Sequence, residues 1–152
     1  FSEAKRRMEA FYTPYHDAVR DEIDATRARF GEAVVIDCHS MPAASARGAD
    51  IVLGDRFGAS CDRGLALRAE VSLRRFGFSV VRNRPYAGGW TTEHYGRPDE
   101  GVQALQIEIN RSLYMDEARV RPGPGFAAVK RRLTLWMQAL VGAAEAGADA
   151  AE

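Results

Sequence analysis

The chain has 152 residues, 46 % of them apolar and 28 % charged, with 21 lysines and arginines balanced by 21 aspartates and glutamates. Those totals suit one soluble globular domain with a core of its own, and the zero net charge lacks the electrostatic footprint of a nucleic-acid or acidic-membrane binder. Two cysteines make neither a disulfide framework nor a CxxC metal knuckle, and no apolar run reaches the roughly 20 residues of a membrane span.

Free thiols are the default of a reducing cytoplasm, which is the expected compartment. Arginine greatly outnumbers lysine, a bias read first as compositional and only second as carboxylate recognition. The first residue is Phe1 and the sequence runs straight into a helical pattern, so a single α/β domain over 1–152, forming the C-terminal part of a longer protein, is expected.

Residues 1–30 read as helix with a break at Pro14, and Val19, Ile23 and Phe30 form a stripe near the helical period. Gly31 is placed to cap that helix in a left-handed conformation. "AVVIDC" (33–38) is a short, β-branched apolar run, the signature of a strand buried on both faces. "MPAASARGA" reads as loop, "DIVLG" (50–54) as a second strand, and "DRFGASCD" as a polar turn whose Asp62 caps a helix reaching Phe76. A third strand follows at 78–83, then a long glycine-rich loop over 84–101. Residues 102–115 start as strand and pass into a short helix or turn, 126–146 form an amphipathic helix, and the alanine-rich tail is expected to fray. Short apolar strands interleaved with helices predict a three-layer α/β sandwich around a mostly parallel or mixed sheet.

Ligands of such sheets bind beyond the strands' carboxyl ends. Every polar cluster falls there: "DCHS", "GDRFGASCD", "NRPYAGG" and "EINR". No GxxxxGK[ST] or GxGxxG element occurs, which sets nucleotide binding aside. Two chemistries remain. In one, His39 coordinates a metal, with Asp37 two positions back on the same strand face as its carboxylate partner or a second ligand, and Glu108 in "LQIEIN" as base. In the other, Cys38 or Cys61 is a thiolate nucleophile paired with histidine. Cys38 and His39 point to opposite faces, which leaves Cys61 with His94. A lone strand-end histidine is also commonly just a hydrogen-bonded structural residue. Cys61 also suits an inert core position, His16 a surface or packing position on its helix, and Tyr86, Trp90 and Tyr95 either core or pocket wall.

"FYTPYHDAV", "VIDCHSMP", "DIVLGDRFGASC", "NRPYAGGWTTEHYGRP" and "GVQALQIEINRSLYMDE", in that order and over nearly the whole chain, resemble the N-formylglutamate amidohydrolase family. The resemblance implies a zinc-exopeptidase-like fold and hydrolysis of N-formyl-L-glutamate to formate and L-glutamate in histidine degradation. It makes His39 a zinc ligand and Glu108 the catalytic carboxylate. Ser40, Arg56, Asn83 and Arg111 then line the substrate pocket, and His94 stabilises the oxyanion. It also implies that further zinc ligands, in a His-Ser-Gly and an Asp-x-His segment, lie upstream of these residues. Glu93 stands before His94 where some members have arginine. The expected partner is a small N-acyl amino acid, with no nucleic acid or membrane, in a monomer or homo-oligomer. Rival readings are a zinc amidase or carboxypeptidase acting on another N-acyl amino acid or a peptide, and a non-catalytic binder of acidic small molecules.

Overall fold

The structure is a computed structural model that describes residues 2–148, with side chains described up to residue 142. Helix α1 (Ser2–Arg7) passes through a π-helical turn at Met8–Tyr12 into α2 (Thr13–Phe30). Pro14 does not break this helix as its sequence position suggests. Proline has no N–H to give the preceding turn, and its ring collides with the carbonyl four residues back. The turn ahead of it widens instead, with the Thr13 N–H reaching the Met8 carbonyl five residues back. Gly31 ends α2 at φ 80°, its N–H on the Arg27 carbonyl at 2.8 Å, a conformation that costs glycine nothing.

Four strands form the main sheet: β1 (Ala33–Met41), β2 (Ile51–Gly54), β3 (Val80–Arg82) and β4 (Val102–Asn110), in the order β1-β4-β2-β3. β1 and β4 run parallel, as do β2 and β3, while β2 and β4 are antiparallel. The sheet is therefore mixed, with two of its three pairings parallel. Between the strands lie α3 (Ala43–Ala46), α4 (Arg63–Arg75) and α5 (Trp90–Tyr95). After β4 come a small hairpin of β5 (Met115–Asp116) and β6 (Arg121–Pro122) and the long α6 (Phe126–Ala148). The expected fraying of the alanine-rich tail concerns side chains and terminal residues that lie outside the described ones.

Three sequence expectations are corrected. β1 is not buried on both faces: among the described residues it is the edge of the sheet, with Val34, Cys38 and His39 exposed. The strand buried throughout is β4, where every residue but Ile109 is buried, because this last strand of the sheet inserts between β1 and β2. The 84–101 loop likewise contains a helix, α5, whose six residues are hidden between Gly88-Gly89 and Gly96. A shorter helix, α3, sits in the segment read as loop after Met41.

The pleat assigns the two faces of the sheet. Ile51, Leu53, Val80, Leu105 and Ile107 point to one side and pack on Leu65, Ala66, Ala69 and Leu73 of α4 and Trp136 of α6. Asp62 caps α4, accepting the Leu65 N–H at 2.9 Å, as its position before the apolar periodicity indicates. The other side carries Ala104, Gln106, Glu108 and Asn110 of β4 beside Val52 and Gly54 of β2. It is covered by α5 and the 84–89 loop, and α2 packs on α5, which completes three layers.

Leu73 is fully buried between α4 and the sheet. Leu73→Ala should lower the unfolding free energy by about 2–5 kcal/mol, the usual cost of an emptied core site, read as a lower urea midpoint. An unchanged midpoint would place the core elsewhere.

Candidate functional site

Because β1 and β4 run parallel in register, Cα partners on the two strands point to the same face. Asp37 stands opposite Gln106, and His39 opposite Glu108. Four polar side chains thus form two rungs on the face away from the main core. Along β1, His39 Nε2 lies 3.0 Å from Asp37 Oδ1. With the proton on that nitrogen, the neutral ring leaves its Nδ1 lone pair for a ligand, the arrangement in which a carboxylate sets a histidine's tautomer. Along β4, Gln106 Nε2 donates to Glu108 Oε1 at 2.7 Å, and Gln106 Oε1 accepts the Gly89 N–H.

Each carboxylate keeps one oxygen without a partner. Asp37 Oδ2 and Glu108 Oε2 are buried and make no hydrogen bond to any described residue. Buried acceptors are costly when unpaired, and two of them on neighbouring rungs beside His39 mark where a cation or a hydrogen-bond donor would be taken up. An imidazole and hard carboxylate oxygens are donors that zinc accepts. Among the described residues no three His, Cys, Asp or Glu side chains come together as a cage, so these residues fit part of a zinc coordination sphere and do not complete one.

The 84–89 loop roofs this face because Gly54 has no side chain. A Cβ at Gly54 would fall 2.5 Å from the Gly88 nitrogen and 2.7 Å from the Ala87 carbonyl carbon. Gly88, at φ 121°, is held as closely on Thr92 and Arg56. Arg56 is half-buried and pairs with Glu93 at 3.1 Å, so the acid ahead of His94 has a partner here. Asn83, at φ 58°, donates to Asp55 Oδ1 at 2.6 Å and accepts the Asp55 N–H at 3.0 Å. Its amide therefore secures the β2 exit. Arg111 follows β4 and donates to the Ser40 hydroxyl and carbonyl, both at 3.2 Å. By strand alternation Ser40 points to the face opposite His39, so this pair sits at the strand ends with its hydroxyl off the rung face.

His94 lies on α5, stacked on Trp90 with centroids 4.2 Å apart at 13°. The two belong to an aromatic group with Tyr12, buried His16 and Tyr95, in which His16 Nδ1 meets the Tyr95 hydroxyl. Burial, then the charges of His94 and Arg20, hold the His16 pKa below its usual value. Of the surface and packing placements open to it, His16 takes the packing one, while Tyr86 packs by Met41, Ala46 and Val52. The thiolate alternative fails on geometry. Cys61 is fully buried in the main core, and burial, then Asp62 and Asp55, push its thiol up to about 12. The exposed Cys38 is also raised, by desolvation and then by Asp37, the reverse of what activates a nucleophile.

Gln106 escaped the sequence reading, although its place two residues before Glu108 puts both on one strand face. Gly54, Gly88 and Gly89 carried no local sign of their role, since it depends on which strand the loop crosses.

Comparison with known proteins shows which proteins the chain resembles. The model of the N-formylglutamate amidohydrolase family matches residues 1–115. N-formylglutamate deformylase of Pseudomonas aeruginosa is 39 % identical over 121 residues, which is 76 % of this chain and 46 % of that protein. The Pseudomonas putida deformylase is also 39 % identical over 121 residues, covering 76 % of this chain and 45 % of its own length. The crystal structure of N-formylglutamate amidohydrolase from Ralstonia eutropha superposes with a TM-score of 0.89 at 37 % identity, over 96 % of this chain and 55 % of that one. The chain spans about half the length of the curated relatives it matches.

The thiol chemistry has a direct readout. In the folded protein at pH 8, iodoacetamide should modify Cys38 slowly and leave Cys61 intact, and both should react after denaturation. The folded Cys61 stays protonated up to about 12 while an unfolded thiol ionises near 9, so stability should fall as pH rises through that window. Rapid native labelling of Cys61 would contradict the packing described.

Proposed function

The chain belongs to the N-formylglutamate amidohydrolase family, and from that premise we propose that it supplies the catalytic face of a zinc-dependent amidohydrolase cleaving N-formyl-L-glutamate to formate and L-glutamate. One observation carries the reading: Glu108, buried on the central strand, keeps Oε2 unpartnered on the rung it shares with His39. A purely structural carboxylate would have both oxygens paired or in water. Glu108 Oε2 is free to accept a proton.

His39 would contribute one zinc ligand, its ring oriented by Asp37. When bound, such an ion polarises the scissile carbonyl and acidifies water. Glu108 takes a proton from the attacking water through Oε2 as the oxygen adds to the formyl carbon. It returns that proton to the amide nitrogen as the C–N bond breaks, so formate and the free amine leave and the carboxylate is regenerated. Arg111, at the β4 exit, clamps a substrate carboxylate in two-point geometry, with Ser40 holding the guanidinium in place. Arg56 is a second candidate, which would exchange its Glu93 pair for substrate. His94, exposed on α5, would stabilise the oxyanion. Asn83 shapes the pocket through Asp55. Placement in histidine degradation and in the cytoplasm belongs to the same proposal.

The choice of acyl amino acid rests on these arginines. A panel of N-acyl amino acids, followed by formate or carboxylate release, should show N-formyl-L-glutamate turned over fastest. Preference for a neutral amino acid would redirect the reading to a related amidase. In the protein that carries these residues, Glu108→Gln should cut turnover about 10²–10⁴-fold, the range for positioned proton transfer, with zinc content unchanged. Dialysis against a chelator should abolish activity and zinc should restore it. Full activity in the Glu108→Gln variant would sink the assignment.

A further inference from the structure

One buried polar side chain outside the proposed catalytic set has both of its ends committed. Gln106 is 4 % exposed and lies on the Glu108 face of β4. Its Nε2 donates to Glu108 Oε1 at 2.7 Å, and its Oε1 accepts the N–H of Gly89 at the start of α5. A primary amide suits this place because it can donate to a carboxylate at one end and accept from a backbone N–H at the other. A carboxylate there would repel Glu108, and an apolar residue would strand both neighbours. The bonds make one line from the roof loop through Gln106 to the carboxylate. Its other terminus is the free Oε2.

We infer that Gln106 is a positioning residue: by holding Glu108 through Oε1 it leaves Oε2 as the acting oxygen, and it ties that orientation to the seating of the 84–89 loop on Gly54. The inference rests on the reading of Glu108 as the base. It adds a mechanical consequence, since whatever lifts the loop also releases the carboxylate. Gly89 sits at the loop's contact with α5, where a Cβ would come within 3.1 Å of Gln106 Oε1. The line can therefore be disturbed from either end.

Gln106→Met keeps much of the side-chain volume and removes both hydrogen bonds. In the protein that carries these residues, kcat should fall roughly 10- to 100-fold, the scale of a misplaced catalytic group, while KM stays within about twofold. Hydrogen exchange at the Gly89 amide should speed up with the circular-dichroism spectrum unchanged. Gly89→Ala should lower kcat with KM held the same way, to a smaller extent, and serves alone if Gln106→Met does not fold. A folded variant with unchanged kcat, or unchanged Gly89 exchange, would overturn the inference. If the unsubstituted protein hydrolyses no N-acyl amino acid, the proposed function falls separately, and Gly89 exchange still decides whether the clip exists.

Discussion

The parallel pairing of β1 with β4, in the register that sets His39 opposite Glu108, is the constraint on which the rest of this site depends. Side chains alternate along a strand, so a slip of one residue would turn His39 toward one side and leave Glu108 on the other. Such a slip is opposed on the far face. Leu105 and Ile107 are held in the main core, and the antiparallel pairing of β4 with β2 sets Leu53 opposite Ile107 and Val52 opposite Glu108. The apolar half of β4 thus holds the polar half in position, and hydrophobic burial is spent on fixing chemistry.

The polar face has a different economy. Gln106, Glu108 and Asn110 are buried together on a strand that also faces a dry core. Most of their polar atoms are matched: Asn110 donates to the Ala49 carbonyl at 3.0 Å and its oxygen accepts from Ser112, while Gln106 is bonded at both ends. Among the described residues three buried side-chain polar atoms lack a partner: Trp136 Nε1 in the main core, and on this polar face Asp37 Oδ2 and Glu108 Oε2. Buried polar groups are usually satisfied, and two unpaired oxygens on one polar face beside otherwise matched side chains set this face apart.

Glycine shapes the other boundary of the site. The 84–89 loop can press on the sheet only because Gly54 offers backbone where any other residue would offer a Cβ. That contact carries Arg56, Thr92 and the start of α5 toward the rungs, so a single absent side chain on β2 sets the distance between roof and floor. The helices behind the roof are joined by aromatic packing instead, where His16 of α2 meets Tyr95 and Trp90 of α5. A neutral His16 suits that apolar junction, and the direction of its pKa agrees with it.

Local chemistry was legible from the amino-acid order. Strand and helix periods, the Asp62 cap, the Gly31 stop, the shared face of Asp37 and His39, and the unusual Glu108 within an apolar strand all follow from spacing along one segment. So does the inertness suspected of Cys61. What only the tertiary structure decided was who stands next to whom. An apolar run in the sequence cannot say which strand will flank it, and β1 came to pair with β4, far away along the chain. The same insertion joined His39 to Glu108, made Gln106 the link between a loop and a carboxylate, and gave Gly54 its purpose. Side-chain periodicity is set by bonds within a segment, whereas strand order is set by which apolar faces exclude water together, and that is settled only when the whole chain packs.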